Sequence, residues 1–148
     1  MVCLGNICRS PLADGLLQKK ITERGLSHFV DSSGTSNNHV GEQPDSRMRK
    51  TALSYNCSID HLRARQFKIQ DYNDFDLIYV MDKSNLANVL SLARNQEDRM
   101  KVKMILNESH PGKDLEVPDP YFGGEKGFTE VFELLNEATD CILNKIEE

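Results

Sequence analysis

The sequence predicts a single α/β domain in which about four parallel strands form a sheet with helices on both faces. Segments with the composition of strands alternate along the chain with segments whose apolar residues recur at helical spacing. The run from Phe75 to Met81 is apolar enough to be a strand buried on both faces, which is typical of a parallel sheet. A length of 148 residues suits one domain with a substantial core, and we expect that domain to span residues 1–148.

The first helix is predicted from Ser10 to Arg24. Ser10 is a good N-cap, Pro11 suits the first helical position, and Gly25 follows the end of the pattern. The apolar residues that recur at helical spacing are Leu12, Leu16, Leu17 and Ile21.

The five residues after Cys3 form a turn that is suited to binding an anion. Gly5 can adopt backbone angles closed to other residues, and Asn6 tolerates a positive φ. A turn of this length can direct successive N–H groups at one point, where the helix N-terminus adds partial positive charge. Arg9 can place two N–H groups on a phosphate-like oxyanion. We therefore predict a phosphate-binding loop, at the carboxyl end of the first strand, formed by Leu4, Gly5, Asn6, Ile7 and Cys8.

Cys3 lies at the start of this loop, inside the predicted positive field. A cysteine in such a field is held largely as the thiolate, which is the nucleophilic form. A lone cysteine is usually a small buried hydrophobe, but a cysteine and an arginine that frame five residues ahead of Ser-Pro are a far more restrictive pattern. We interpret Cys3 as a nucleophile directed at phosphorus.

Only Met1 and Val2 precede Cys3, although a loop of this kind should follow a buried strand. Either the natural chain carries further residues here, or the sheet is built without most of that strand. The second arrangement would leave the neighbouring strands without ladder partners, so we expect the first.

The segments that follow are predicted from local composition. A short strand is expected at residues 28–30, and the polar loop at 31–41 is the kind of segment that rims a pocket. A second helix should begin near Pro44 and end at about Asn56, and residues 59–70 form an irregular basic stretch.

The second half of the chain continues the alternation. Residues 82–85 should cap the helix that follows the strand ending at Met81. A strand is predicted at 102–106, a long loop at 110–120 and an amphipathic helix at 127–146. Ligands of such sheets bind at the carboxyl ends of the strands, where the Cys3 loop should lie.

Composition excludes several classes of protein. The net charge of −5, without a long basic block, makes nucleic acid an unexpected partner. The four cysteines form neither a pair of metal-binding CxxC motifs nor a secreted disulfide framework, and no apolar run is long enough for a membrane span. No signal peptide precedes the loop, and a reactive thiolate needs a reducing compartment, so we expect a cytoplasmic protein.

The second candidate for chemistry is Asp119, which lies between Pro118 and Pro120. The two prolines fix its backbone and keep it out of regular structure. Alone, an Asp-Pro pair is usually a simple turn. Together with the predicted loop, a rigidly held carboxyl is what a general acid requires.

These motifs carry a resemblance to a known family. The segment from Cys3 to Pro11 resembles the signature of the low-molecular-weight protein tyrosine phosphatases, and the likeness extends over nearly the whole chain. The segment from Asp119 to Phe122 is similar to the acid loop of that family. The resemblance implies a substrate rim formed by Asn38, His39, Tyr121 and Phe122.

The resemblance also implies a support for the loop. Ser32 matches a serine that hydrogen-bonds the loop asparagine of the family, here Asn6. Leu62 stands where the family usually carries a histidine, with His61 one position away, and Asn38 stands where many relatives carry a large aromatic residue.

The implied reaction is hydrolysis of phosphotyrosine and similar aryl phosphate monoesters. Cys3 would form a cysteinyl-phosphate, Arg9 would hold the phosphoryl oxygens, and Asp119 would protonate the leaving oxygen and then activate water. Ser10 would hydrogen-bond the Cys3 sulfur. Neither a metal nor another cofactor is expected. The implied partners are tyrosine-phosphorylated proteins or peptides, with phosphate and other oxyanions as inhibitors.

Three other functions are weighed against this one. An arsenate reductase of similar fold needs further cysteines in mid-chain, but residues 70–140 contain none. Phosphoarginine phosphatases resemble the family but tend to carry threonine in place of Ile7 and a single aromatic residue after Asp-Pro. A catalytically inactive phosphotyrosine-binding module would have lost Cys3 or Asp119.

Cys8 has two interpretations. It either packs as a small buried residue beneath the loop, or it forms a disulfide with Cys3 that protects an oxidised thiolate. The resemblance favours the protective role, because eukaryotic-type relatives carry a cysteine at this place.

Overall fold

Four short parallel strands form the central sheet of the protein in the computed structural model, which describes residues 1–147. The strands are β1 (Val2–Cys3), β2 (Ser33–Gly34), β3 (Ile78–Val80) and β4 (Val102–Met104), in the spatial order β2-β1-β3-β4. All three neighbouring pairs are parallel. The prediction of an α/β domain with a four-stranded parallel sheet is therefore confirmed.

Within residues 1–147, six helices and one short 3₁₀ segment connect and follow these strands. They are α1 (Arg9–Glu23), α2 (Ser46–Ser54), α3 (Asp71–Asp74), α4 (Lys83–Leu90), α5 (Gln96–Lys101), the 3₁₀ segment Ile105–Asn107 and α6 (Glu125–Glu147).

Side chains alternate between the two faces of the sheet, and each face is covered by helices. Cys3 and Tyr79 belong to the larger apolar cluster, which is formed mainly with residues of α1 and α6. Val2 and Val80 belong to a second cluster that includes Tyr72 of α3 and Val89 of α4. Burial on both faces explains why β3 is an uninterrupted apolar run.

The strand predicted at residues 28–30 is wrong. The second strand begins at Ser33, where Val2 pairs with Ser33 and Cys3 with Gly34. In this register, residues 28–30 would pair with positions before Met1, and they lie in an exposed connection that includes Phe29.

The two later strands are shorter than predicted. The strand expected from Phe75 begins only at Ile78, because Val102 pairs with Ile78 and the residue before Val102 belongs to α5. The strand expected to reach Leu106 ends at Met104, where the chain turns into the 3₁₀ segment.

The helix ends also differ from the sequence prediction. Ser10 is not the N-cap: α1 begins at Arg9, and its N-cap is Cys8, whose side chain makes no capping bond. The second helix is limited to Ser46–Ser54, and its N-cap is Asp45. The last helix begins at Glu125, two residues earlier than predicted. Asp82 caps α4 by accepting a hydrogen bond of 2.8 Å from the Asn85 N–H.

Within residues 1–147, none of the helices combines the length and the apolar character that crossing a membrane requires.

Candidate active site

The loop between β1 and α1 curls around the sulfur of Cys3. β1 ends at Cys3, which is buried, and the Asn6 N–H donates to Cys3 Sγ over 3.3 Å. Asn6 has a φ of 57°, as its residue type predicted, whereas the φ of Gly5 is not positive. The absence of a side chain at Gly5 instead makes room for the His39 ring, because a Cβ there would lie 3.1 Å from His39 Cδ2.

A chain of hydrogen bonds behind the loop ends on the same sulfur. The Arg65 N–H donates to Asn6 Oδ1 over 3.0 Å, which directs the Asn6 amide N–H₂ toward Ser10 Oγ at 2.7 Å. Ser10 Oγ lies 3.0 Å from Cys3 Sγ and 3.3 Å from the Ser33 carbonyl oxygen. Because a thiolate can only accept, the Ser10 hydroxyl is the donor when Cys3 is ionised.

Gly34 of β2 lies against the outside of the loop. A Cβ at this position would lie 2.7 Å from the Leu4 carbonyl oxygen and 3.1 Å from the Asn6 nitrogen. Both neighbours are backbone atoms that shape the loop, so only glycine permits this approach without a shift of the main chain.

Arg9 is buried at the base of the loop and connects it to two other segments. Its side chain is only 3% exposed. Nη1 donates to Asp82 Oδ2 over 2.7 Å and to the Val117 carbonyl oxygen over 2.9 Å. Nη2 lies 3.6 Å from Asp119 Oδ2. Asp82, which had been predicted only as part of a helix cap, therefore holds the guanidinium beside the loop.

Asp119 faces the loop from the segment before α6, with a side chain that is 37% exposed. Its Oδ1 accepts a hydrogen bond of 3.0 Å from the Tyr121 N–H, which fixes the carboxyl group relative to its own loop. The backbone ahead of it is anchored to the sheet edge, because the Val117 N–H donates to the Met81 carbonyl oxygen over 2.8 Å.

A cavity of about 230 Å³ opens between the loop and Asp119. The structure brings most of the predicted site residues to it, together with Ser36, which had not been singled out. The lining residues are Cys3, Leu4, Gly5, Ile7, Cys8, Arg9, Ser36, Asn38, His39, Asp119, Tyr121 and Phe122. Asn6 and Ser10 lie behind this lining and reach the sulfur from within the protein.

Two aromatic residues and a histidine form the mouth of the cavity. The rings of Tyr121 and Phe122 meet edge to face at 4.9 Å, and the Phe122 side chain is almost fully exposed. The His39 ring lies 6.3 Å from the Tyr121 ring, and its Nδ1 is 2.7 Å from Glu42 Oε2.

The prediction that Ser32 hydrogen-bonds Asn6 is wrong. Asn6 is held by Ser10 and by the Arg65 backbone, whereas the Ser32 hydroxyl hydrogen-bonds Asp14. Burial raises the pKa of Asp14 to about 6, against the opposing influences of the N-terminal ammonium group and of the Ser32 hydrogen bond.

Cys8 lies within the loop, where it is buried and close to negatively charged groups. Burial raises the pKa of Cys8, and the nearby negative charges of Asp45 and Cys3 raise it further. Cys8 is therefore a neutral thiol at physiological pH.

Sequence reasoning missed the residues that hold the site from a distance in the chain. Asp82 lies at the junction of β3 and α4, Arg65 lies in an irregular segment, and Arg47 lies on α2. Each is separated by tens of residues from its partner in the site. No local pattern marks them, although Asp82 follows a buried strand at the sheet edge where ligands bind. Among residues 1–147, no group of three or more His, Cys, Asp or Glu side chains is arranged to hold a metal ion.

A cysteine whose sulfur accepts from a loop amide, beside a buried arginine and with a carboxyl group across the cavity, is the arrangement of a cysteine-dependent phosphatase. Comparison with known proteins gives the family. The model of the low molecular weight phosphotyrosine protein phosphatase family matches residues 1–148. The chain belongs to this family.

Individual relatives resemble the chain over almost all of their length. A putative low molecular weight protein-tyrosine-phosphatase from Synechocystis is 42% identical over 98% of this chain and 93% of its own. The crystal structure of a protein tyrosine phosphatase from Entamoeba histolytica, with Hepes in the active site, has a TM-score of 0.91 and 39% identity, covering 99% of this chain and 94% of its own. The arginine phosphatase of Drosophila also has a TM-score of 0.91, with 28% identity, covering 99% of this chain and 96% of its own.

Gly34→Ala should distort the loop and weaken its affinity for oxyanions. The added Cβ would meet two backbone atoms, so we expect inhibition by inorganic phosphate to weaken by about tenfold or more, since small misplacements of a site are costly. Competitive inhibition by phosphate measures the effect. The control is Gly124→Ala, because a Cβ at Gly124 has nothing within 4 Å. Unchanged phosphate inhibition in Gly34→Ala would show that β2 does not shape the loop.

Proposed function

We propose that this protein is a cytoplasmic tyrosine phosphatase that hydrolyses phosphotyrosine in proteins and peptides. The observation that carries the proposal is the position of Cys3 Sγ, which accepts from the Asn6 N–H and lies in the same cavity as Arg9 and Asp119. A phosphoryl group above the sulfur would be held by the loop amides and Arg9, with its ester oxygen toward Asp119.

The first chemical step transfers the phosphoryl group to the enzyme. The Cys3 thiolate forms a bond to phosphorus while the bond from phosphorus to the tyrosine oxygen breaks. Asp119 in its protonated form gives its proton to that oxygen, so that a neutral phenol leaves. The Ser10 hydroxyl, 3.0 Å from Cys3 Sγ, stabilises the thiolate before the attack.

The second step releases phosphate. Water attacks the cysteinyl-phosphate, Asp119 now accepts the proton of that water, and the sulfur leaves as a thiolate. Arg9 balances the charge on the phosphoryl oxygens in both steps. Its ion pair with Asp82 and its bond to the Val117 carbonyl oxygen hold the guanidinium beside the loop before substrate arrives.

The walls of the cavity favour an aromatic leaving group. Leu4, Ile7, Tyr121 and Phe122 surround the path from the sulfur to solvent with apolar surface, which suits the ring of phosphotyrosine. Phosphoarginine is the second candidate substrate, because one structural relative is an arginine phosphatase. Ile7 and the paired aromatic residues favour phosphotyrosine.

The need for a reduced nucleophile supports a reducing compartment, because the proposed reaction depends on the Cys3 thiolate. A nucleophile that is inactivated by oxidation operates in the cytoplasm, where thiols are kept reduced.

The choice of substrate is tested by steady-state hydrolysis of a phosphotyrosine peptide and a phosphoarginine peptide of the same sequence. We expect the higher kcat/KM for phosphotyrosine. Cys3→Ser should reduce both activities to less than about a hundredth, because a serine hydroxyl is not ionised near neutral pH. Cys141→Ser is the matched control and should remain active, since Cys141 lies on α6 and does not line the cavity. A preference for phosphoarginine would overturn the substrate assignment.

The role of Asp119 is tested by the dependence of kcat/KM on the leaving group. This ratio reports phosphoryl transfer to Cys3 and excludes the later hydrolysis step. Asp119→Asn should lower kcat/KM for phenyl phosphate by roughly 10²–10⁴-fold, the usual contribution of a general acid. The loss should be much smaller for p-nitrophenyl phosphate, whose phenolate leaves without a proton.

Asp114→Asn provides the control for this experiment. Asp114 lies in the same connection but bonds Asn107, outside the cavity, and asparagine tolerates its φ of 50°. Equal losses on both substrates in Asp119→Asn would mean that Asp119 is not the acid.

We further propose that Cys8 protects Cys3 against peroxide. The Cys3 thiolate attacks one oxygen of hydrogen peroxide as the O–O bond breaks, and with a proton from solvent this gives a sulfenic acid and water. The Cys8 thiol then condenses with the sulfenic acid to a disulfide with release of a second water. Both cysteines lie in the same buried loop. Because burial and neighbouring negative charge raise the pKa of Cys8, the condensation should be slow at neutral pH and faster as the pH rises.

Peroxide should therefore inactivate the wild-type enzyme, and a dithiol should restore it. Cys8→Ser should be active before treatment but should recover poorly, and Cys141→Ser should recover like the wild type. Peptide mass spectrometry of the oxidised protein checks the linkage. Cys3 found only as sulfinic or sulfonic acid, without any link to Cys8, would exclude the protective role.

A further inference from the structure

Arg47, on the first turn of α2, makes several contacts with the Asp119 loop (residues 118–123) and with Phe128 just beyond it. Its Nη2 donates to the Tyr121 carbonyl oxygen over 2.9 Å, and its Nη1 lies 3.5 Å from the Gly123 carbonyl oxygen. The guanidinium carbon lies 5.5 Å from the Tyr121 ring centroid and 4.7 Å from that of Phe128, both within the range of cation–π attraction.

The same guanidinium is fixed on its other side by Asp45. Arg47 Nε and Nη2 each lie 3.0 Å from one carboxylate oxygen of Asp45, a two-point pairing that sets the plane of the group. The backbone of Asp45 is bonded in turn to the phosphate-binding loop, because its N–H donates to the Ile7 carbonyl oxygen over 2.7 Å. Arg47 thus lies in a continuous path from the loop that holds the phosphoryl group to the loop that holds the acid.

The Asp119 loop has few other attachments. Residues 118–123 contain internal bonds, from the Tyr121 N–H to Asp119 and from the Gly123 N–H to the Pro120 carbonyl oxygen. Among the described residues, the hydrogen bonds that reach this segment from outside it come from Arg47. The contact between Asp119 and Arg9 is longer, at 3.6 Å, and involves the reacting carboxyl group itself.

We propose that Arg47 is a positioning residue for the reaction: it fixes the Asp119 loop against the phosphate-binding loop so that Asp119 reaches the leaving oxygen. This inference rests on the proposed function, in which Asp119 is the general acid. Arg47 does not line the cavity, so its effect on catalysis passes through the Tyr121 and Gly123 carbonyl groups.

The chemistry of the contacts requires arginine in particular. Two N–H groups of Arg47 pair with Asp45, and another N–H group donates to the Tyr121 carbonyl oxygen. The flat face of the guanidinium lies over the Phe128 ring. A lysine ammonium is a point charge and cannot satisfy these partners together. Partial burial opposes ionisation of Asp45, but the hydrogen bonds and charge of Arg47 lower the pKa of that carboxyl group below its ordinary value. The pair is therefore charged throughout the neutral range.

The test measures kcat/KM for phenyl phosphate and for p-nitrophenyl phosphate in Arg47→Met, Arg47→Lys and the wild type. Arg47→Met should lose about tenfold or more on phenyl phosphate, a part of the general-acid contribution, and less than about threefold on the activated ester. Arg47→Lys should behave like Arg47→Met. Arg49→Met is the matched control, because Arg49 lies on the same helix but bonds Pro44 and Asp60, away from the acid loop.

A double-mutant cycle separates positioning of the acid from any general effect on the fold. In the Asp119→Asn background, Arg47→Met should cause no further loss in kcat/KM on phenyl phosphate, because there is no acid left to position. Inhibition by inorganic phosphate should also be unchanged in Arg47→Met, since the phosphate-binding loop itself is intact.

Asp45→Asn gives a second, independent variant. Asparagine caps a helix as well as aspartate does, so α2 should be preserved while the charged partner of Arg47 is lost. The same dependence on leaving group is expected, to a smaller extent.

Three results would overturn the inference. They are equal losses on both substrates in Arg47→Met, additive losses in the Asp119→Asn background, and recovery of activity in Arg47→Lys. If Asp119→Asn alone shows no dependence on the leaving group, the acid assignment fails first and the inference fails with it. If Asp119→Asn shows that dependence and Arg47→Met does not, only the role of Arg47 is excluded.

Discussion

The burial of one positive charge, on Arg9, is the constraint around which the site is built. A guanidinium that is almost fully removed from water must be paired, and here Asp82 and the Val117 carbonyl oxygen provide the partners. Those partners come from the end of β3 and from the segment before Asp119, so the charge joins three parts of the chain at the carboxyl edge of the sheet. A site assembled in this way is preorganised for a dianionic phosphoryl group, because its donors are already oriented before the group enters.

The phosphate-binding loop is stabilised from behind as well as from the cavity. Asn6 takes a backbone conformation that few residues accept, and its side chain is satisfied on both ends by Arg65 and Ser10. This arrangement leaves the hydroxyl proton of Ser10 free to point at the sulfur. Gly34 allows β2 to press directly on the loop, so that the sheet itself limits how far the loop can relax. A rigid loop keeps the reacting groups aligned, and the rate of the reaction is sensitive to small displacements of those groups.

Local sequence predicted the parts of the site that are encoded within a few residues. Cys3, Arg9 and the conformation of Asn6 belong to one loop, and Asp119 is marked by its two prolines. The strand at 28–30 and the lengths of the later strands could not be predicted, because they depend on which residues face each other across the sheet. The hydrogen bonds of Arg9 to Asp82 and Val117, of the Arg65 backbone to Asn6, and of Arg47 to the Tyr121 and Gly123 carbonyl oxygens join residues 59 to 108 positions apart. Only the folded chain brings these residues together. Ser10 does not cap α1 because the helix already begins at Arg9, and its hydroxyl instead accepts from the Asn6 amide and lies 3.0 Å from the Cys3 sulfur.

Asp14 lies one turn along α1 from Ser10, and its burial has a thermodynamic consequence for the whole protein. The folded chain binds a proton at Asp14 up to about pH 6, whereas the unfolded chain releases it near the ordinary value for aspartate. The contribution of this group to stability is therefore greatest below about pH 4, falls as the pH rises between the two values, and is constant above them. At neutral pH the protein folds with this carboxylate at a net cost in free energy. Proton uptake on folding in mildly acidic solution is the signature of a carboxyl group that is buried at the expense of stability.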